Sequence, residues 1–241
     1  MKCKSVSLNF CPVLAEMVES NAAVGKDGKV IHGLGPISTI NNLCILRNLQ
    51  LELQPQRTLE IGMAFGGSTL VLTSTHRDLG QMPKKQHTAL DPFQTSVWAG
   101  AGILAVERAA LSGFLDFRAR LSSQELPTIL DNKEQIDLVY VDGSHLFEDV
   151  FVDFYFVGRL LSQKGVVLFD DSSLPHVQKV LRFIRNSLRA SFVELDLAKY
   201  RPDGGKALRY RVARMLGKQQ LTAFRRVGSP TRAWDAPFIN F

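Results

Sequence analysis

Short apolar runs alternate along the chain, from Arg57 onward, with longer segments in which apolar residues recur at helical spacing. The apolar runs predict five β-strands: TLEIG (58–62), HTALDPF (87–93), FLDFRARL (114–121), IDLVYVDG (136–143) and GVVLFDD (165–171). The segments that follow them predict helices, the clearest being GSTLVLTSTHRDL, FEDVFVDFYFVGRLL and LPHVQKVLRFIRNSL. Strands and helices that alternate in this way form βαβ units, so we expect a parallel sheet covered by helices on both faces.

The alternation ends after about residue 190, where SFVELDL (191–197) and LTAFRRVG (221–228) follow as strands with no long helix between them. These segments predict an antiparallel pair at one edge of the sheet, with 200–218 as an irregular insertion. We therefore expect an α/β protein with a doubly wound, mostly parallel, seven-stranded sheet that has an antiparallel edge strand. Its expected parts are a helical extension or lid (1–56), the α/β domain (57–228) and a surface tail (229–241). Within the extension, NAAVGKDGKVIHGLG is expected to be a glycine-rich loop.

Composition excludes several classes of protein. No window of about 18 uncharged apolar residues is present, and the apolar stretch near the N-terminus is too short and broken for a signal peptide. We therefore expect a cytoplasmic protein without a membrane span. The cysteines Cys3, Cys11 and Cys44 form no CxxC pair, which favours bystander thiols over a disulfide framework or a zinc site.

Positive charge is concentrated near the C-terminus. Between Lys199 and Arg232 there are ten basic residues and one acidic residue. This excess favours a solvated surface, with attraction of an anionic substrate as the alternative. A nucleic-acid partner is not expected, because no aromatic residues interleave with the basic ones in the way that a base-stacking groove requires.

Polar groups stand at the carboxyl end of every predicted strand. They are Glu60, Gly62, Gly66, Gly67 and Ser68 after the first strand, Asp91 after the second, RLSSQELP after the third, Asp142 and His145 after the fourth, and Asp170 and Asp171 after the fifth. In an open parallel sheet these ends meet at one edge, where ligands bind. Structure alone does not require a carboxylate at four of the five ends, so this edge is predicted to be a functional site.

The glycine-rich turn GMAFGG (62–67) differs from a dinucleotide-binding turn. In the GxGxxG pattern the second glycine lets the backbone approach a pyrophosphate, and here Ala64 occupies that position. The difference disfavours a nucleotide-linked dehydrogenase and suits a cofactor without a diphosphate. Asp91, about 30 residues further on, is placed to accept both hydroxyls of a ribose. The turn and the carboxylate together predict a ligand of the adenosine type.

Four segments, LEIGMAFGGSTL, ALDPF, IDLVYVDGSHLFEDVFVDF and GVVLFDD, together resemble the class I S-adenosylmethionine-dependent methyltransferases. More narrowly, they resemble the O-methyltransferases that include catechol-type enzymes and bacterial sugar- and antibiotic-tailoring enzymes. The resemblance covers roughly 55–185 and continues through the closing strands to about 228, and it implies a Rossmann-like methyltransferase fold. It implies that the cofactor is bound by Glu60, Gly62, Gly66, Ser68, Asp91, Asp142, and Ser122 or Ser123. In this assignment Glu60 and Gly62 line the methionine end, Ser68 lies near its carboxylate, Asp91 binds the ribose, and Ser122 or Ser123 lies by the adenine.

The resemblance also implies a metal-assisted reaction. In the metal-dependent members, one aspartate after the fourth strand and an acidic pair or Asp-Asn after the fifth hold magnesium; Asp142, Asp170 and Asp171 stand at those positions. His145 stands where the catechol-type enzymes carry a lysine near the substrate hydroxyl, which implies a general base. The implied reaction transfers a methyl group from S-adenosylmethionine to a hydroxyl of a small molecule of the sugar, catechol or natural-product type.

Other interpretations of these residues stay open. A methyltransferase of the same fold that needs no metal would use the aspartates to position the substrate. A non-catalytic S-adenosylmethionine-binding or interaction protein would have no need of the second acidic pair. His145 alternatively caps the helix that begins near Leu146 or hydrogen-bonds a loop, and Asp170 and Asp171 alternatively cap the helix that follows them.

Two further expectations concern surfaces and partners. Glu148, Asp149 and Asp153 are expected on a solvated helix face, and a homodimer through the N-terminal helices is expected. An amino-methyltransferase acting on nucleic acid is disfavoured, because DGSH stands where such enzymes carry an Asn/Asp-Pro-Pro-aromatic run.

Overall fold

The computed structural model of the chain describes residues 8–35, 37–202 and 207–241, without the side chains of 207–210. Cys3 lies outside the described residues, whereas Cys11 and Cys44 are buried thiols. The α-helices are α1 (Pro12–Ser20), α2 (Ile40–Leu53), α3 (Gly67–Asp78), α4 (Ala101–Arg108), α5 (Ser122–Asp131), α6 (Phe147–Leu160), α7 (Pro175–Ser187) and α8 (Ala207–Met215). The strands are β1 (Ala22–Val24), β2 (Val30–His32), β3 (Thr58–Ile61), β4 (His87–Leu90), β5 (Leu115–Arg118), β6 (Ile136–Val141), β7 (Leu161–Phe169), β8 (Phe192–Glu194) and β9 (Thr222–Arg226).

The main sheet has seven strands in the order β5-β4-β3-β6-β7-β9-β8. β4 pairs parallel with β5, and β6 pairs parallel with β7. β9 runs antiparallel to both of its neighbours, β7 and β8. This confirms the mostly parallel, seven-stranded α/β sheet with an antiparallel pair at one edge. The carboxyl ends of β6 and β7 lie side by side, because Val141 is in register with Phe169.

The chain forms two compact units. The described residues of the first are 8–35, 37–55, 60–121 and 200–202, and those of the second are 56–59, 122–199 and 207–241. In the first unit β4 is buried along its whole length, as is α3 as far as His76. In the second, the apolar run of β6 places Leu138, Val139 and Tyr140 at 0 % exposure, which explains why that strand lacks the alternation of a half-exposed sheet.

The glycine-rich segment that was expected to be a loop forms a β-hairpin instead. β1 and β2 pair antiparallel, with Val24 opposite Val30. The connection closes through the Gly25 N–H, which donates to the Lys29 carbonyl at 2.9 Å, and Gly28 adopts φ +81°. An Asp-Gly pair between short β-compatible segments favours such a turn, so the sequence did carry the signal. The insertion at 200–218 likewise contains a regular element, the helix α8.

Asp153 is buried, so the expectation that it lies on a solvated face is wrong; Glu148 and Asp149 are exposed as expected. Asp153 shares one face of α6 with Val150 and Phe154, since residues three and four positions apart lie on the same side of a helix. This face is buried, and α6 packs against α5. Burial raises the pKa of the Asp153 carboxyl from 3.8 to about 6; a hydrogen bond from Ser122 opposes the rise, and the charge of Asp149 adds to it.

Candidate active site

The glycine-rich turn connects β3 to α3 in the first unit. Its backbone takes left-handed angles at Gly62 (φ 88°), Ala64 (φ 45°) and Gly66 (φ 84°). The Gly66 N–H donates to the Met63 carbonyl at 2.7 Å. A Cβ atom on Gly66 would lie 3.1 Å from both Cα and the carbonyl oxygen of Gly102 in α4. The turn therefore requires glycine at position 66 for its backbone angle and also for its close packing on the α4 backbone.

Asp91, at the end of β4, holds this turn in place. The residue is 3 % exposed, and its Oδ2 accepts the N–H groups of Met63 (3.2 Å) and Ala64 (2.8 Å). Oδ2 also accepts from Gln94 Nε2 at 3.1 Å, and Oδ1 accepts the Phe93 N–H at 2.7 Å. Four donors on one carboxylate preorganise the turn and leave one lone pair of Oδ1 for a ligand hydroxyl.

Glu60, on β3, is completely buried. One oxygen, Oε2, accepts a hydrogen bond from Thr69 Oγ1 at 2.5 Å and lies 3.3 Å from His87 Nε2. The other, Oε1, has no hydrogen-bond partner among the described residues. Ser68, in the first turn of α3, is 5 % exposed at the helix N-terminus that follows the glycine turn. That end of a helix suits an anionic group.

In the second unit, three of the predicted residues come together at the ends of β6 and β7. Asp142, His145 and Asp171 each offer one ligand atom, and these atoms lie within 4.8 Å of one another. His145 Nε2 is 2.9 Å from Asp171 Oδ2, and both side chains are partly exposed. The group thus combines a carboxylate–imidazole pair with a second carboxylate, which suits proton transfer and cation binding.

Asp170 faces a different partner. It is 7 % exposed; Oδ2 accepts from the hydroxyl of Tyr140 on β6, and Oδ1 accepts the Asp171 N–H at 2.8 Å. A fully buried tyrosine hydroxyl needs an acceptor, and the neighbouring strand end supplies one. The structure therefore brings Asp142 and Asp171 together with His145, whereas Asp170 is buried and bonded to Tyr140 and to the Asp171 main chain.

The two alternative capping roles are not observed. α6 begins after Leu146 without a side-chain cap at that residue, and the Phe147 N–H donates to His176 Nδ1 at 3.2 Å. α7 also begins without a side-chain cap, and only the main chain of Asp171 takes part, by accepting the Leu174 N–H. His176, in the first turn of α7, therefore bonds to the main chain at the start of α6, a contact that the sequence did not predict.

The serines predicted to lie near an adenine open helix α5. Ser122 is half-buried and donates to Asp153, whereas Ser123 is exposed.

The sheet order is that of a Rossmann-like methyltransferase fold. Residues 59–172 match the family model described as a methyltransferase domain. No curated protein matches the chain.

Solved structures with a similar fold include two O-methyltransferases. The O-methyltransferase from Bacillus cereus in complex with S-adenosylhomocysteine is 18 % identical, with a TM-score of 0.62 over 90 % of this chain and 91 % of that one. The O-methyltransferase TomG from Streptomyces achromogenes, involved in tomaymycin synthesis and solved with S-adenosylmethionine, is 16 % identical, with a TM-score of 0.60 over 95 % and 92 %.

The close packing of the glycine turn can be tested by a matched pair of substitutions. Gly66→Ala is expected to lower the free energy of unfolding by about 1–2 kcal/mol more than Gly80→Ala. Both glycines have positive φ, but a Cβ atom on Gly80 would meet nothing within 4 Å, so the pair separates the clash with Gly102 from backbone strain. Urea unfolding measures the difference, and equal losses would mean that the turn has room to shift.

Proposed function

We propose that the chain transfers a methyl group from S-adenosylmethionine to a hydroxyl of a small molecule of the sugar, catechol or natural-product type. The observation that carries this proposal is the His145–Asp171 pair, 2.9 Å apart, beside Asp142 at two adjacent strand ends. Both solved structures named above are O-methyltransferases bound to S-adenosylmethionine or its product, which supports the same reaction here.

The first unit fits the amino-acid end of the methyl donor. Glu60 keeps one buried oxygen that has no hydrogen-bond partner among the residues described, and this oxygen is a place for an ammonium group. The N-terminus of α3, with Ser68, suits the carboxylate, and Asp91 retains acceptor capacity for a ribose hydroxyl. The backbone of the turn at Gly62 and Gly66 bears no side chains that would hinder a close approach. The donor supplies a methyl group activated by its sulfonium.

His145 is proposed to remove the proton of the acceptor hydroxyl. With Nε2–H donated to Asp171 Oδ2, the ring presents Nδ1 as the atom that accepts a proton. Asp171 then fixes the tautomer and stabilises the imidazolium that forms, as the carboxylate of a catalytic triad does. Asp170, bonded to Tyr140 and to the Asp171 main chain, keeps Asp171 in this position.

Magnesium is proposed to be held by Asp142 and Asp171, the half-buried members of the set expected from the sequence. Two carboxylates, with water and the acceptor in the remaining positions, form a donor set that magnesium accepts. Bound there, magnesium would lower the pKa of the acceptor hydroxyl. Asp170 contributes by supporting Asp171, because both of its oxygens are already hydrogen-bonded within the protein.

Calorimetric titration tests the metal site. In titrations with saturating S-adenosylhomocysteine, Asp142→Asn is expected to lose about tenfold or more in magnesium affinity relative to the wild type. Asp149→Asn is the matched control, since it removes the same charge from an exposed position of the same unit and should leave magnesium binding unchanged. Magnesium that binds all three proteins equally would overturn the assignment.

A metal-independent reaction is the second candidate, and the same His–Asp pair favours it, because such a pair removes protons without a metal. An assay that monitors methyl transfer by mass spectrometry, with catechol and simple sugars as acceptors, distinguishes the metal-dependent reaction from the metal-independent one. Activity that survives EDTA supports the metal-independent reaction, whereas activity that EDTA abolishes and magnesium restores supports the first proposal.

A further inference from the structure

A buried carboxylate in the first unit is only half satisfied. Glu60 and His87 have side chains that are 0 % exposed, and Glu60 Oε2 receives both Thr69 Oγ1 and His87 Nε2. Glu60 Oε1, in contrast, has no hydrogen-bond partner in the part of the chain that the structure describes. Both interactions therefore fall on one oxygen of the carboxylate, and the other oxygen is left for something else.

Leaving a buried carboxylate oxygen without a donor is unfavourable, so the arrangement points to a group that arrives from outside the chain. Glu60 stands two residues before Gly62, where the turn expected to hold the amino-acid end of the methyl donor begins. An ammonium group has three donors and the opposite charge, and is therefore the partner that best satisfies this oxygen.

We infer that Thr69 and His87 are positioning residues that hold the Glu60 carboxylate in the orientation required for the ammonium group of the methyl donor. Thr69 fixes one oxygen from the first turn of α3, and His87 fixes the same oxygen from the first residue of β4. Two donors on Oε2 fix the rotation of the carboxylate, so Oε1 already has the orientation needed to accept from the ammonium group before the cofactor binds. The inference rests on S-adenosylmethionine as the cofactor.

The test compares ligands that differ only in the amino-acid end. Calorimetry with S-adenosylhomocysteine, its decarboxylated analogue and 5′-methylthioadenosine is carried out on the wild type, Thr69→Val and His87→Gln. The matched controls are Thr73→Val and His76→Gln. Thr73 is also buried in α3, but it donates to the Thr69 carbonyl, and buried His76 is bonded to Gln81, so neither hydrogen bond involves Glu60.

Thr69→Val and His87→Gln are each expected to weaken the two ligands that carry an ammonium group by about tenfold, and to leave 5′-methylthioadenosine unchanged within about twofold. The control variants should leave all three affinities unchanged. Equal losses for all three ligands would show that the two residues act only on folding, and unchanged affinities would show that Glu60 needs no support; either result overturns the inference. A wild type that binds none of the ligands would instead contradict the proposed function.

Discussion

Replacing His145 by glutamine is expected to lower the rate of methyl transfer by about 100-fold or more, with the affinity for S-adenosylhomocysteine changed by no more than about twofold. Glutamine keeps hydrogen-bonding groups near Asp171 but cannot take a proton from the acceptor. The loss should therefore appear in kcat and not in cofactor binding. The rate is measured in single-turnover experiments with an acceptor identified in the mass-spectrometric assay with catechol and simple sugars. Calorimetry measures the affinity for S-adenosylhomocysteine.

Two further variants show whether the loss comes from the proposed chemistry. Asp171→Asn should also lower the rate of methyl transfer, because an amide does not fix the imidazole tautomer as a carboxylate does. His176→Gln is the matched control: His176 lies close by and accepts the Phe147 N–H, but it is outside the reactive group, and its loss should cost only a few-fold at most. A His145→Gln enzyme as fast as the wild type would exclude His145 as the base.

The stability of the protein is expected to depend on pH through Asp153. Because burial raises the pKa of this carboxyl from 3.8 to about 6, the folded state holds its proton more tightly than the unfolded state does. The contribution of Asp153 to the free energy of unfolding is fully present below about pH 3.8, where the carboxyl is protonated in both states. This contribution is lost as pH rises through about 6, so that the free energy of unfolding falls by about 3 kcal/mol in total. Asparagine at position 153 is neutral at every pH and can still accept a hydrogen bond from Ser122. The Asp153→Asn variant is therefore expected not to show this pH-dependent loss of stability.

The measurement is the free energy of unfolding in urea for both proteins at intervals between pH 4 and pH 7.5. The difference between wild type and Asp153→Asn isolates one carboxyl from the others that titrate in this range. Asp149→Asn is the control on the same helix, since it should retain most of the dependence and move it to slightly lower pH by removing a nearby negative charge. Parallel pH profiles for wild type and Asp153→Asn would contradict the prediction.

The sequence predicted the sheet well because its strands are buried on both faces and appear as continuous apolar runs. It also placed Asp142, His145 and Asp171 together, since the carboxyl ends of adjacent parallel strands must meet at one edge. The hairpin was missed because short, half-exposed strands such as Val30–His32 have little apolar pattern. Its Asp-Gly turn was the better indicator.

Side-chain direction was the part that the sequence could not supply. Asp170 and Asp171 are consecutive and chemically identical, yet one turns towards Tyr140 and the other towards His145. Asp153 and Asp149 lie one helical turn apart, and only the packing of α6 on α5 decides which of them is buried. The Glu60–Thr69–His87 contact joins three separate elements, so no local pattern predicts it.

The position of β9 has a consequence during synthesis on the ribosome. β9 is last in chain order among the described strands, yet it lies between β7 and β8, with Thr222 paired to Phe169 and Arg226 to Phe192. Until Arg226 has left the exit tunnel, the edge of β7 lacks its partner and presents open hydrogen-bonding groups. A nascent chain stalled before Thr222 is therefore expected to aggregate or to recruit chaperones, and a released full-length chain to escape both.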